Sequence, residues 1–552
     1  MNRAYQQPIT EEDSTWRVFA AISDAPDLGV ILLWALLVSC LATFRVSFTG
    51  DGIRHLWPIL VSSRPSLGKP RWLLFPALLF VVIKPLQLAG LVSSVEQAAH
   101  AFVILNFLAG VIYMLLVRRW LIVRSVGAHG RAAALLLAGM TTPLLLFSGD
   151  TVEPIIPATI ALAGLVYAAS QSPDRQRRAI VVAAAALVLA TLLYQGLVLA
   201  MALVPCAFPR NTRIRLGTIA LFSCVLALAP LTMFFAMVAG GSSPHAAIHQ
   251  MLAGEENELY KAEMKSKTRG LWPYVAAVSV GPAENIIPIP ENRGISGGFK
   301  MALRRDTVAE GIFNLAGFVF ALILLFGGVA LVVRRRDWRI AVAFAGILVL
   351  PLIRSFQYSY TKFYILMPAI VALVASSVSP LVGLFAGIVA GSFNTLYIAR
   401  DIVAQRRLSN DIAPLFKSMG DSSCYVTTSW GPPTMNFPGS TCSISAILSR
   451  DTAEQVDLIM RRNQHTMNDS LRRCFCDSSS VLTDDVTEAN QDVAAELLKY
   501  YRYSGFELNE WQWNPNRGTL VFDRDGLKVF SYSRQAQSEI CSGLKFSLKP
   551  ND

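Results

Sequence analysis

Long apolar runs recur along the first 400 or so residues of this chain and then stop. They lie near 28–47, 98–117, 132–148, 154–170, 215–239, 309–333, 339–354, 361–378 and 380–398. Each is close to the roughly 20 residues that a helix needs to cross a hydrocarbon core. Two further runs are irregular. Residues 72–92 are interrupted by Pro76, Lys84 and Pro85, and residues 179–208 are too long for one plain span and break at Tyr194-Gln195-Gly196. After residue 398 the pattern becomes that of ordinary soluble sequence. The chain thus divides into a polar N-terminal segment (1–27), a membrane domain (28–398) and a C-terminal domain (399–552) long enough to fold by itself.

Composition agrees with a membrane protein. The 552 residues are 53% hydrophobic and 16% charged, where soluble domains carry about 25% charged residues. The first apolar run is too long for a signal h-region, and the preceding residues are mixed in charge. It therefore predicts an uncleaved first helix. The net charge of +11 comes largely from arginines grouped between spans. One group is Arg118, Arg119, Arg124 and Arg131, and a second is Arg175, Arg177 and Arg178. A third is Arg210, Arg213 and Arg215, and a fourth is Arg334, Arg335, Arg336 and Arg339. This is the positive-inside pattern and not the footprint of a nucleic-acid binder.

The arginine groups also arbitrate topology. All four fall on one side if 72–92 is an interfacial or re-entrant helix and 179–208 is a pair of short crossing helices. The fold expected is mainly α and polytopic, with roughly 11 transmembrane helices and a cytoplasmic N-terminus. The loop 48–97, the turn 149–153, the loop 241–308, the segment 354–361 and the C-terminal domain then face outward. In a Gram-negative bacterium that is an inner-membrane protein with a periplasmic C-terminal domain.

The C-terminal domain reads as α+β. Residues 452–473 and 487–503 have helical patterns, and Arg524-Asp525-Gly526 sits between two strand-like stretches as a hairpin turn. Its five cysteines fit an oxidising compartment. Cys424 and Cys442 are predicted to pair, with Cys474, Cys476 and Cys541 unassigned. Cys474-Phe475-Cys476 lacks a second ligand pair at zinc spacing.

The outward segments collect ionisable groups, which are costly beside hydrocarbon and tend to be functional. The first loop has Gly50-Asp51-Gly52-Ile53-Arg54-His55 and then Lys69-Pro70. The turn has Gly149-Asp150-Thr151-Val152-Glu153-Pro154. The long loop has His245, His249 and Arg293, and Arg354, Tyr358, Tyr360 and Lys362 precede a late span. Such a set suits transfer of a group from a phosphorylated lipid. A carboxylate accepts the proton of an attacking hydroxyl, while Arg, Lys or a divalent cation neutralises the departing phosphate. Local readings compete with this one. Asp51 and Asp150 stand where they would cap the following helices, His55 suits a structural role, and Lys69 and Arg71 suit snorkelling beside an apolar helix.

The order of these features resembles the GT-C superfamily of integral-membrane glycosyltransferases, which includes protein O-mannosyltransferases and the aminoarabinose transferase acting on lipid A. Their shared order is a first span, Gly-Asp in the outer loop, Lys-Pro before a Pro-broken apolar helix, a span ending in Arg-Arg, and an acidic second outer turn. The resemblance implies an inverting transfer of a sugar from a polyprenyl-phosphate donor to a lipid, glycan or protein acceptor, with a product in the cell envelope such as lipopolysaccharide. It implies Asp51 as general base, with Asp150 and Glu153 holding the acceptor or a metal. Asp51 and Asp150 are then candidate ligands for a divalent cation. Arg54, His55, Lys69, Arg293, Arg354, Tyr360 and Lys362 become candidate substrate-binding residues. Lys362 and Tyr364, ahead of Met367-Pro368, resemble the family's late span. The chain departs from the pattern where the family has Asp-Glu (Asp51-Gly52) and a second proline (Arg71). Two other functions compete: an O-antigen ligase or polymerase using lipid-pyrophosphate glycans, centred on Arg293, and a transporter or flippase. Transporters keep polar residues at the midplane of repeated halves, and no internal repeat is evident here.

Overall fold

The structure is a computed structural model. It describes residues 25–45, 73–172, 175–207, 212–239, 308–355, 364–427, 440–443, 456–484, 506–512, 518–524 and 527–550, with short pieces at 55–56, 59–60, 65, 244, 248, 283, 285–287 and 437.

Helix α1 (Pro26–Phe44) has proline in its first turn, where the missing N–H costs nothing, and ends at Arg45 in extended conformation. Two ion pairs mark its ends. Asp27 is fully buried and accepts from Arg118 Nε at 2.8 Å and Arg131 Nε at 2.6 Å. Arg45 Nη1 donates to Asp150 at 2.5 Å. A helix of this length spans about 28 Å, so the ion pairs define two opposite faces of the membrane domain. We call them the arginine face and the acidic face.

Helix α2 (Phe75–Leu88) is 14 residues long, with Pro76 in its first turn and Pro85 inside. Its length of about 21 Å is short for a span, and both ends lie on the acidic face. The Phe75 ring lies 5.7 Å from those of His55 and Phe102, and Gln87 Nε2 donates to Leu60 O at 3.0 Å. This is the placement expected of an interfacial helix. Helix α3 (Val95–Val123) starts at Ser94, whose hydroxyl accepts from Gln97 N, and crosses to the arginine face. Helices α4 (Ala128–Gly139) and α5 (Thr142–Phe147) return as one span, broken just ahead of Pro143.

Helix α6 (Ile155–Ala169) crosses again, and α7 (Gln176–Leu193) stops at Tyr194, which is extended (φ −151°, ψ 108°). The break falls where the Tyr-Gln-Gly sequence places it. A 3₁₀ helix (Gln195–Leu203) and a further turn (Val204–Ala207) follow. At about 2.0 Å rise per 3₁₀ residue, this stretch covers roughly 24 Å and brings Cys206 within electrostatic reach of Arg124, Asp337 and Arg339. Then come α8 (Thr212–Ala239), α9 (Val308–Arg335), α10 (Trp338–Ser355), α11 (Met367–Ala375) and α12 (Pro380–Ser418). Among the described residues, α1, α3, α7 and α12 are each long and apolar enough to cross a membrane alone.

Small residues set the tightest contacts. Trp34 of α1 is buried and donates its indole N–H to Gly139 O at 2.8 Å. A Cβ on Gly139 would lie 2.8 Å from that ring, and one on Gly110 would lie 2.9 Å from it. On α12, Gly383, Gly387 and Gly391 meet Ala133, Leu136-Leu137 and Met140 in step, so α4 and α12 run parallel and close. Asn394 Nδ2 then donates to Met140 O, at the α4–α5 break, and to Ile286 O at 2.8 Å. Carbonyls at a break in a membrane helix need such an outside donor. The piece 285–287 of the long outer loop is thereby buried against the bundle.

Helix α12 is 39 residues long and does not stop at residue 398. Its last turns carry Leu408, Ile412 and Phe416 into the core of the C-terminal domain, against Tyr425, Phe437, Leu482 and Val529. That domain has strands β1 (Cys424–Thr427), β2 (Ser440–Ser443) and β3 (Val481–Asp484), with helix α13 (Val456–Arg472) preceding β3. Strands β4 (Phe506–Gln512), β5 (Thr519–Arg524) and β6 (Leu527–Tyr532), helix α14 (Arg534–Gly543) and strand β7 (Lys545–Pro550) complete it. The main sheet has the order β2-β1-β3-β6-β5 and β4 pairs with β7. Strands β1–β2 and β1–β3 are parallel, and β5–β6 form the predicted antiparallel hairpin, with Arg524 opposite Leu527. The helix expected over 487–503 lies outside the described residues.

The expected Cys424–Cys442 disulfide is corrected. Cys424 pairs with Cys474, and Cys476 with Cys541, at Cα separations of 5.1 and 5.3 Å. In the β1–β2 register Cys424 stands opposite Ser440, while Cys442 stands opposite Val426 and is a buried free thiol. The π-helical turn Arg473–Asp477 is clipped to β1 on one side and to α14 on the other, and buried Phe475 packs edge-on to Tyr532.

Candidate functional site

The acidic face is organised around the turn between α5 and α6. Asp150, Thr151 and Glu153 are all fully buried there. Asn106 is the polar residue of α3 that holds this turn: its Nδ2 donates to Asp150 O at 2.7 Å and to Val152 O at 2.8 Å. The backbone of the turn is therefore satisfied from within the bundle, as apolar surroundings require.

Asp150 does not cap α6. The N-cap of α6 is Pro154. One carboxylate oxygen of Asp150 instead takes Arg45 Nη1 and the other takes Thr151 N at 2.7 Å. With a guanidinium already on it, Asp150 is poorly suited to ligate a cation. Among the described residues no group of three His, Cys, Asp or Glu side chains converges as a metal site. Asp150 fits best as the counter-ion that ties the end of α1 to the acidic turn.

Glu153 faces the first outer loop. Its Oε1 is 3.8 Å from His55 Nε2, and His55 is itself buried with its ring edge-on to Phe75 of α2. The two polar clusters of the sequence, 50–55 and 149–154, thus meet on one face through His55 and Glu153. Arg354 is the penultimate residue of α10. That helix starts beside the Arg124–Asp337 pair on the arginine face, and about 27 Å of helix carries its other end toward the acidic face. Asp51, Arg54, Lys69, Arg293, Tyr360 and Lys362 lie outside the described residues.

Three contributors escaped sequence reading. Arg45, at the end of an apolar run, looks like a membrane anchor. Asn106 is a polar residue in the middle of an apolar span, a pattern that does signal a buried hydrogen-bonding role. Asp401 of α12 is buried, accepts from Gln405 Nε2 at 2.7 Å and lies in the electrostatic field of both Arg45 and Asp150. One turn further on, the Arg406 guanidinium stands 5.4 Å from the Phe44 ring. Helix α12 thus leaves the bundle on the acidic face and carries the C-terminal domain on that side.

No protein-family model and no curated protein matches the chain. Solved structures are similar to it. ArnT from Cupriavidus metallidurans bound to undecaprenyl phosphate aligns at 12% identity over 92% of this chain and 98% of that one, with a TM-score of 0.41. The Archaeoglobus fulgidus oligosaccharyltransferase in its apo form aligns at 14% identity over 86% of this chain and 71% of that one, with a TM-score of 0.42. ArnT in the apo state gives 12% identity, 92% and 99% coverage, and a TM-score of 0.32.

Proposed function

We propose that this chain is a membrane glycosyltransferase that moves a sugar from a polyprenyl-phosphate donor to a lipid, glycan or protein acceptor. The observation that carries the reading is the meeting of His55 and Glu153, buried at 3.8 Å on the acidic face. Interfacial helix α2 lies along that face, and the C-terminal domain rises from it.

In this reading the donor's lipid tail lies along the bundle and its phosphate comes to the face where α2 rests. Asp51 takes the proton of the acceptor hydroxyl as that oxygen attacks the anomeric carbon. The bond from that carbon to the phosphate oxygen breaks, and the lipid phosphate leaves. Attack from the side opposite the leaving group inverts the sugar. Arg54, Lys69, Arg293, Arg354, Tyr360 and Lys362 are assigned to the phosphate and sugar. Glu153, oriented by His55, is assigned to the acceptor, and Asp150 to positioning. The arginine groups make their face cytoplasmic by the positive-inside rule. The acidic face and the disulfide-bonded domain are then periplasmic and the membrane is the bacterial inner membrane.

The test is single-turnover transfer in proteoliposomes loaded with a panel of undecaprenyl-phosphate sugars and a bacterial envelope extract that supplies the acceptor. Release of undecaprenyl phosphate by the wild type and its loss in Glu153→Gln, with folding intact, is expected. Full release by Glu153→Gln would remove that residue from the site.

A further inference from the structure

A second polar feature lies at the opposite end of the bundle from Asp150 and Glu153. On the arginine face, the α3–α4 turn (124–130) and the α11–α12 turn (376–380) flank an open pocket of about 560 Å³. Arg124 and His129 line it from one side, and the hydroxyl-bearing Ser376 and Ser377 line it from the other. Helix α4 begins in its wall with Gly127 as N-cap, so no side chain caps its first amides.

The surrounding charge is strongly positive. Arg118 and Arg131 share one carboxylate, Asp27. Arg124 is paired only loosely with Asp337, at 3.4 Å, and both partners are partly exposed. The chain on either side of the cavity is apolar and outward-facing. Val123 precedes Arg124, and Leu381, Val382 and Phe385 follow Pro380 with 77%, 56% and 63% of their surface exposed. A free anion would use the cavity but none of that apolar surface; a lipid uses both.

We propose that this cavity binds the phosphodiester headgroup of an anionic phospholipid, with its acyl chains along the exposed apolar residues of α12. Basic pockets between transmembrane helices recognise lipid headgroups through this combination of charge and adjoining hydrocarbon. The site is distinct from the proposed sugar-donor site, which is on the other face, and it does not depend on that reading.

Native mass spectrometry of the purified full-length protein, released from micelles after equilibration with phosphatidylglycerol or phosphatidylcholine, tests it. The wild type is expected to retain phosphatidylglycerol preferentially. Arg124→Gln is expected to weaken that retention about five-fold, the effect of one interfacial cation. Asp337→Asn, which frees the Arg124 guanidinium while keeping the side-chain acceptor for Arg339 N, is expected to strengthen it. If Arg124→Gln does not fold, His129→Gln takes its place and is expected to weaken retention by removing a second ring N–H from the pocket wall. Equal retention of the two lipids, or unchanged retention in a folded variant, would overturn the proposal. So would displacement of phosphatidylglycerol by millimolar inorganic phosphate, because the site would then be one for a free anion.

Discussion

Replacing Arg45 by Gln should destabilise the protein, and a second change should largely repair it. Asp150 is fully buried and its charge is balanced at 2.5 Å by the Arg45 guanidinium, itself 6% exposed. Removing one partner of such a pair strands the other, at a cost of about 3–5 kcal/mol. Asp401 lies in the same field: burial pushes its carboxyl up to about 7, and the Arg45 guanidinium counters part of that rise. Unfolding entropy near 2.1 cal/mol/K per residue gives about 1.2 kcal/mol/K for a chain of this size. The expected fall in Tm is then about 3–4 °C. Arg45→Gln/Asp150→Asn removes both charges and should lie within about 2 °C of wild type, a coupling that independent sites would not show. The assay is the fraction of monodisperse protein that survives heating in detergent, measured by fluorescence-detected size exclusion. An Arg45→Gln variant as stable as wild type, or a double variant that falls by the sum of the singles, would refute the counter-ion role.

Gly387→Leu should lower Tm by a similar amount or prevent folding, because even a Cβ there would lie 3.0 Å from the Leu137 backbone nitrogen; the same heating assay reads it, and a neutral result would mean that α4 and α12 are not in close contact. Non-reducing peptide mapping should recover Cys424–Cys474 and Cys476–Cys541, with no Cys424–Cys442 peptide. Burial pushes the Cys442 thiol up to about 12, so the charged thiolate is scarce and alkylation of the folded protein should be slow and still rising about tenfold per pH unit at pH 9. A fast rate that levels off towards pH 9 would show an ordinary exposed thiol, whose pKa is about 8.5. In spheroplasts, an impermeant maleimide should label Gly420→Cys but not Arg177→Cys, and the reverse would invert the topology.

Much of the membrane domain was legible because its signals are local. The apolar runs, the break at Tyr194 and the short helix with Pro76 and Pro85 follow from length and proline chemistry. The meeting of His55 and Glu153 was legible only as a consequence of that topology. What escaped depends on partners distant in sequence. Arg45 and Asp150 are 105 residues apart, and nothing local distinguishes Arg45 from an anchoring arginine. Asn106 and Asn394 serve backbone carbonyls of broken segments, a role visible only once the breaks are placed. Gly383, Gly387 and Gly391 do carry a local signal, the four-residue spacing of small residues in an apolar helix. The partner of Cys424 was misassigned and that of Cys476 left open, because the π-helical turn at Cys474 reaches β1 only through the folded sheet.

The central proposal is sugar transfer with Asp51 as general base. Mass spectrometry of envelope glycans and glycolipids from a deletion strain, complemented in turn with wild type and with Asp51→Asn, tests it most directly. The account predicts that one sugar modification disappears on deletion, returns with the wild type, and stays absent with an Asp51→Asn protein that inserts and folds normally. Full restoration by Asp51→Asn, or an envelope unchanged by the deletion, would contradict it.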